Sequence, residues 1–174
     1  GGIRPGGLVL VATADGGGIY GRGSLTIVDC EVTGNRAFDD GGGIWLYSTG
    51  TLTLTRVTIS GNQADVWGGG VFSSGIATID QCDISGNQAY EGGGIYCSSG
   101  LTINNSRVTE NVATGYNGGG VFSSGKLLLS NSTVSGNETM RNGGGLYCSG
   151  DASVKNSAIS SNNAAMSGGG IAAG

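Results

Sequence analysis

A glycine triplet recurs along this chain at an interval of about 25 residues, and no other feature constrains the fold as strongly. The seven triplets begin at residues 16, 41, 68, 92, 118, 143 and 168 of the 174-residue sequence. An aliphatic residue follows every triplet, and in six of the seven repeats an aromatic residue comes next. A fixed period of roughly 20 to 50 residues is typical of stacked repeat architectures, so the sequence predicts a solenoid.

A second block lies at a constant place in each repeat. It begins at residues 25, 52, 77, 101, 127 and 152. A branched aliphatic residue lies seven residues beyond each start and an asparagine lies ten beyond, and neither offset varies across six repeats. The length differences fall between the asparagine and the next triplet, and near residues 46 and 47.

The spacing of apolar residues decides between the kinds of solenoid. Helical repeats place apolar residues three and four apart, whereas here they alternate over three to five residues. Each repeat is therefore predicted to contain three short strands that pair with their equivalents in neighbouring coils, about 4.8 Å apart. The predicted fold is an all-β parallel β-helix of about six complete coils over residues 16–174. Residues 1–15 are interpreted as a degenerate first coil or an entry segment.

Alternation also predicts which residues face the interior of the coil. Leu25 and Ile27 point inward and Thr26 points outward. A bend then resets the alternation, and the next inward column contains Cys30, Val57, Cys82, Ser106, Ser132 and Ser157. A further inward column is marked by a small residue, alanine, with Thr139 as the exception: Ala37, Ala64, Ala89, Ala113 and Ala164.

The asparagine of each repeat occupies one predicted turn. Asparagine tolerates left-handed backbone angles and bonds nearby backbone groups, and asparagines stacked in register can bond one another. The predicted structural ladder consists of Asn35, Asn62, Asn87, Asn111, Asn137 and Asn162. The preceding residue is glycine in four repeats, and Glu110 and Ser161 replace it in the other two.

These elements, GGG-[ILV]-aromatic and [IV]-x-x-N, resemble the repeats of polymorphic outer membrane proteins and related bacterial surface proteins. That family pairs a GGA-[ILV] element with an F-x-x-N element. The first is matched by residues 41–44, with glycine in place of alanine, and the second by residues 84–87, with isoleucine in place of phenylalanine. The resemblance covers residues 16–174. It implies a right-handed parallel β-helix and a secreted or surface-displayed adhesin.

Composition and charge narrow the functional classes. Eight Lys and Arg against twelve Asp and Glu argue against a nucleic-acid-binding protein. The chain has no histidine, so zinc sites built on that residue are excluded. No apolar run approaches about 18 residues, so no membrane-spanning helix is predicted. Neither end shows a capping element, and we expect either a piece of a longer solenoid or a unit that stacks end to end.

The aromatic residues after the triplets form the candidate contact surface. Because the aliphatic neighbour of each points inward, alternation turns the aromatic ring outward. We call these residues the aromatic column: Tyr20, Trp45, Phe72, Tyr96, Phe122 and Tyr147. An exposed apolar stripe indicates a contact with a glycan or a protein. The alternative is ring stacking that only stabilises the sheet.

Two groups of carboxylates are further candidates. The first precedes successive triplets and contains Asp39, Asp40, Asp65 and Glu91. Stacked coils would bring them close enough to bind calcium, but a solvated acidic edge is the favoured interpretation. The second contains Asp29, Glu31, Asp80 and Asp83, whose equivalent members lie about 10 Å apart on the strand spacing, as in an inverting glycosidase. The regularity of the repeats argues against catalysis there.

The four cysteines are predicted to be buried free thiols. Cys30 and Cys82 share a column two coils apart, as do Cys97 and Cys148. Two strand spacings are about 10 Å, which is too far for a disulfide. A bridge between Cys82 and Cys97 is the alternative.

The favoured function is that of a non-enzymatic, structural or adhesive module at the cell surface or outside the cell. It would be the stalk of a surface protein or a subunit of an end-to-end stacked fibre. The expected partners are another copy of the chain, end to end, and a host or matrix glycan or protein. No cofactor is predicted. The alternative is a carbohydrate-binding or polysaccharide-processing β-helix.

Overall fold

A computed structural model describes residues 17–47 and 49–174, so the interpretation of residues 1–15 lies outside the described residues. The described residues form 25 strands of two to five residues each and no helix. Long strands are prevented by the glycine and asparagine residues that interrupt every alternating run. The chain turns after each strand and returns to the same position one coil later.

The strands follow one another in the same order in every coil. The first two coils contain β1 (Ile19–Gly21), β2 (Leu25–Val28), β3 (Glu31–Thr33), β4 (Arg36–Ala37), β5 (Ile44–Leu46), β6 (Thr51–Thr55), β7 (Thr58–Ser60) and β8 (Gln63–Ala64). The next two contain β9 (Val71–Ser73), β10 (Ile76–Asp80), β11 (Asp83–Ser85), β12 (Gln88–Ala89), β13 (Ile95–Cys97), β14 (Leu101–Asn104), β15 (Arg107–Thr109) and β16 (Val112–Ala113). The remainder are β17 (Val121–Ser123), β18 (Leu127–Ser130), β19 (Thr133–Ser135), β20 (Glu138–Thr139), β21 (Leu146–Cys148), β22 (Ala152–Lys155), β23 (Ala158–Ser160), β24 (Asn163–Ala164) and β25 (Ile171–Ala173).

Equivalent strands stack into four parallel sheets. Sheet A contains the strands that follow the glycine triplets, namely β1, β5, β9, β13, β17, β21 and β25. Sheets B, C and D each contain six strands and begin in the first coil with β2, β3 and β4. Pairing joins equivalent residues of successive coils, so that Thr53 lies between Thr26 and Thr78. The predicted parallel β-helix is therefore confirmed.

Sheet D is a fourth strand per coil, whereas the sequence predicted three. Each of its strands has two residues, as in β4 and β8. The second residue is the small inward residue, and Ala37 and Ala113 are fully buried. Two residues give no alternation to detect, because a period needs several residues.

The core is a continuous column of aliphatic side chains along the axis. Leu52, Ile79 and Ile103 of sheet B are fully buried, and so are Ile59 and Ile84 of sheet C. The predicted inward residues after the bend are buried at Val57, Cys82, Ser106 and Ser132. Each coil buries few side chains, so the stability of the fold depends on stacking between neighbours.

Two columns of residues with left-handed backbone produce the bends on either side of sheet C. The column before sheet C has φ between 47° and 54° and contains Asp29, Arg56, Gln81, Asn105, Asn131 and Asn156. The column after it contains Gly34, Gly61, Gly86, Glu110, Gly136 and Ser161, with φ between 54° and 67°. Left-handed angles are costly for residues with a side chain, and the second column mostly avoids that cost with glycine.

The glycine triplet is required by close backbone approach. At Gly68 the φ angle is +65°. A Cβ on Gly69 would collide with the carbonyl oxygens of Gln88 and Gly93. A Cβ on Gly70 would lie 3.1 Å from the side chain of Asn87. The triplet therefore repeats because it packs against the asparagine turn and against the next triplet.

Candidate functional site

The six ladder asparagines lie in one column beneath the triplets. The Oδ1 atom of Asn62 accepts hydrogen bonds from the backbone N–H and the Nδ2 of Asn35, both at 2.9 Å. The Nδ2 of Asn62 donates to the Oδ1 of Asn87 at 3.0 Å and to the carbonyl of Val32 at 2.8 Å. Every donor and acceptor of this side chain is therefore satisfied inside the protein.

The same bonds repeat along the whole column. Asn87 bonds to Asn111, Asn111 to Asn137, and Asn137 to Asn162, each through its backbone N–H and its Nδ2. Asn87, Asn111 and Asn137 are fully buried. A buried polar network in which every member is bonded fixes a single register of the coils.

The aromatic column lies on the outer side of sheet A, but much of it is covered. Trp45, Phe72 and Phe122 are only 7%, 5% and 8% exposed. The expectation that all six rings are exposed is wrong for these three. The rings cover one another, since neighbours from Phe72 to Tyr147 stack at centroid distances of 4.6 to 5.4 Å. Whether the column contacts a partner stays a prediction.

Trp67 adds to the cover of this column from the preceding turn. Its ring stacks on Phe72 at 6.0 Å and on Tyr96 at 5.2 Å between centroids. Trp45 departs from the stack, because it meets Tyr20 and Phe72 edge to face. Stacked and edge-to-face pairs both stabilise neighbouring coils beyond the area they bury.

An exposed apolar surface that the sequence analysis missed follows the turns between sheet D and the triplets. We call it the apolar turn edge. It contains Phe38, Trp67, Tyr90, Tyr116, Met140 and Met166, one residue from each turn. Phe38 and Met166 are 70% and 66% exposed, whereas Trp67 is 37% exposed. Because the turns vary in length, these residues do not occur at a fixed offset from the triplet. The presence of one large apolar residue in every turn could nevertheless have indicated this surface.

The carboxylates in these turns are not all solvated. Asp40 and Glu91 are buried, so the interpretation of a solvated acidic edge is wrong for both. The Oδ1 of Asp40 accepts the N–H of Trp67 at 3.2 Å, and Glu91 accepts a backbone hydrogen bond from Asn117. The turn backbones stack closely and enclose these side chains. Asp65, in contrast, is exposed and pairs with Arg36 at 3.1 Å.

Burial changes the ionisation of these two acids. It raises the pKa of Asp40 to about 7, with a further contribution from the charge of Asp39. It also raises the pKa of Glu91 to about 7, against the opposing effect of the bond from Asn117. The Oε1 of Glu91 is buried and has no hydrogen-bond partner. Both acids are therefore partly neutral near pH 7.

The acids considered for glycoside hydrolysis lie around sheet C. Register places Glu31 and Asp83 on either side of Thr58, two coils apart as predicted. Asp29 is held by Arg56 through two bonds of 2.5 and 2.8 Å, and this pairing lowers the pKa of Asp29. The general acid of a glycosidase needs a raised pKa. The lowered pKa of Asp29 therefore argues against that role.

The neighbouring acid Asp80 accepts a hydrogen bond from the Nδ2 of Asn105 at 2.8 Å. At Asp83 the Oδ1 atom is buried and has no hydrogen-bond partner. Within residues 17–47 and 49–174, no three Cys, Asp or Glu side chains are grouped so as to hold a metal ion.

The four cysteines are free thiols, as predicted. Cys82, Cys97 and Cys148 are buried, and Cys30 is half-buried. Burial raises the pKa of Cys82 and of Cys97, so neither thiol is activated as a nucleophile. These residues fill inward positions that serine occupies in other coils.

The geometry defines the class of this protein as a parallel β-solenoid with an internal asparagine ladder. A family model described as "right handed beta helix region" matches residues 42–173. The chain therefore belongs to the right-handed β-helix family, which confirms the predicted fold and handedness. Searches of curated proteins and of solved structures find no match. In the part of the chain that the structure describes, no helix is long and apolar enough to cross a bilayer.

Proposed function

We propose that this chain is a non-enzymatic structural or adhesive module of an extracellular or cell-surface protein. It acts as the stalk of a surface protein or as a subunit of an end-to-end stacked fibre. The observation that carries the proposal is the continuous asparagine ladder from Asn35 to Asn162. A column bonded at every coil resists bending and sliding, and those are the properties of a rigid spacer.

The core and the sheets support the same role. The aliphatic columns continue through all coils in one register, so each coil contributes one equal increment of length. On the usual strand spacing six coils give a rod about 30 Å long. Stability in such a stack is the sum of coil and interface contributions. A spacer of this kind can change length by whole coils.

Insertion of one coil tests the spacer role. We expect duplication of residues 92–117, one full repeat, to lengthen the rod by about 4.8 Å in small-angle X-ray scattering. The melting temperature should be retained or raised. On intact cells that produce the protein, a membrane-impermeant reagent should label this module. An inserted coil that abolishes folding, or a module that only lysed cells expose, would contradict the proposal.

A second function, carbohydrate binding or processing, is favoured by the apolar turn edge. Its aromatic members present ring surface to solvent, and Tyr90 stacks on Tyr116 at a centroid distance of 6.4 Å. Contiguous exposed apolar surface marks contact sites, and flat ring faces suit the apolar faces of sugars. The half-buried Tyr96 of the aromatic column contacts the ring of Trp67 at a centroid distance of 5.2 Å.

A glycan array tests this second function. Wild-type protein should retain particular glycans, and a variant carrying Trp67→Ala and Tyr96→Ala should lose at least tenfold in affinity. Met166→Ala is the matched control, because it removes an exposed apolar side chain of the same edge without removing a ring. Absence of any glycan bound by the wild type would refute carbohydrate binding. Release of products from a polysaccharide panel would instead indicate processing.

A further inference from the structure

The turns between sheet D and the triplets, which we call the turn edge, contain two buried acids, Asp40 and Glu91, and both contact Trp67. Its backbone N–H donates to Asp40 at 3.2 Å, and its backbone forms a parallel bridge with Glu91. The N–H of Gly68 donates to the carbonyl of Glu91 at 3.1 Å. The ring of Trp67 rests on Phe72 and Tyr96. Asp40 therefore contacts Trp67 through its carboxyl group, and Glu91 contacts it through the backbone of its own turn.

Neither acid has a positively charged partner among the described residues. Arg36, the arginine nearest Asp40 in sequence, pairs with Asp65, and Arg141, which lies in another turn between sheet D and a triplet, lies over the ring of Tyr116 at 4.5 Å. The titratable groups that act on the two acids are Asp39, which is also acidic, and Tyr96. Burial, followed by the charges of Glu91 and Asp40, raises the pKa of Tyr96, so the tyrosine stays neutral.

An unpaired carboxylate inside a protein is strongly disfavoured, because nothing replaces the water it loses. A neutral carboxylic acid in the same place behaves like the amide of a ladder asparagine, since it accepts one bond and can donate another. Asp40 and Glu91 are 5% and 7% exposed, which leaves little access to water. Loss of their protons must then move the turns or admit water.

We infer that Asp40, Trp67 and Glu91 form a proton-controlled latch on the turn edge. While both acids are neutral, the turns of residues 38–40 and 90–91 stay packed and the indole covers Phe72 and Tyr96. When both acids ionise, these turns loosen and the indole leaves the two rings. The apolar surface available to a partner therefore increases as the solution becomes more alkaline.

The sign of the effect follows from the two states of each acid. In the unfolded chain the acids have pKa values of about 4, and in the folded chain both are raised to about 7. The folded protein therefore binds more protons between these values. Its stabilising contribution is complete below about pH 4 and is lost as the pH rises through about 7.

Fluorescence of Trp67 tests the latch directly. Trp45→Phe leaves Trp67 as the single tryptophan. We expect iodide quenching to increase between pH 5 and pH 8.5 with a midpoint near 7, and the melting temperature to fall by about 10 °C over that range. Both changes should disappear when Asp40→Asn and Glu91→Gln are added. Asp151→Asn, at an exposed acid of a different turn, is the matched control and should keep both.

Two results would overturn the latch. One is an unchanged quenching curve in the variant that lacks both acids. The other comes from the protein with its native acids: carbon-13 NMR of the carboxyl groups would show every Asp and Glu titrating near pH 4. This second measurement needs no substitution, so it decides the question even if the variant does not fold.

Discussion

The two turns that flank sheet D use the same kind of hydrogen bond with different residues. At the asparagine turn, the backbone N–H of Asn35 donates to the side chain of Asn62 in the next coil. At the turn edge the direction is reversed, because the N–H of Trp67 donates to the side chain of Asp40 in the previous coil. The first column uses asparagine throughout, whereas the second uses Asp, Trp, Glu, Asn and Ser.

This difference separates a structural column from a variable one. An amide both accepts and donates without charge, so asparagine serves equally well in every coil. An acid in the same role depends on a proton, and tryptophan cannot accept at all. The turn edge therefore has no continuous ladder of one residue type, but it carries exposed rings and titratable groups. Substitutions that exchange the properties of the two turns test this interpretation.

The largest effect is expected from Asn87→Ala. It removes the oxygen that accepts two bonds from Asn62 and the Nδ2 that donates to Asn111 and Ile59. Leaving these groups buried without partners should lower the free energy of unfolding by about 3 kcal/mol. Urea denaturation monitored by circular dichroism measures it.

Asn142→Ala provides the comparison from the turn edge. Asn142 is half-buried, and its Nδ2 makes one bond of 3.1 Å to Asn117. Its loss should cost about 1 kcal/mol or less. Equal losses for the two alanine variants would show that the two columns do not differ in the way described.

Residue spacing is sufficient to predict sheets A to C, because each of their strands has an alternating run flanked by glycine or asparagine. It does not predict the first left-handed column, since Asp29, Arg56 and Gln81 have no residue type in common. Residue spacing also does not predict that the side chains of Asp40 and Glu91 are buried. Their turns differ in length, so neither the register nor the cover provided by Trp67 can be read from spacing.

Asn87→Asp would give the asparagine turn the chemistry of the turn edge. Its second oxygen would face the Oδ1 of Asn111 and the carbonyl of Ile59, both of which now accept bonds from Nδ2. Burial without a cation should raise the pKa of the new acid. We therefore expect the variant to lose about 2 kcal/mol more stability at pH 8 than at pH 5. Asn87→Ala is the control, and its penalty should not change with pH; equal penalties in the aspartate variant would contradict this account.

A small effect is expected at the left-handed position that precedes the asparagine. Glu110 has φ 57° where four other coils have glycine. Glu110→Gly should therefore raise the free energy of unfolding, by about 0.5–1 kcal/mol after the greater entropy loss of glycine is included. The reverse change, Gly86→Ala, should cost about 1 kcal/mol through backbone strain alone, because a Cβ there meets no atom within 4 Å. If chemical denaturation detects no change in either variant, left-handed strain does not limit the asparagine turn, and its preference for glycine needs another cause.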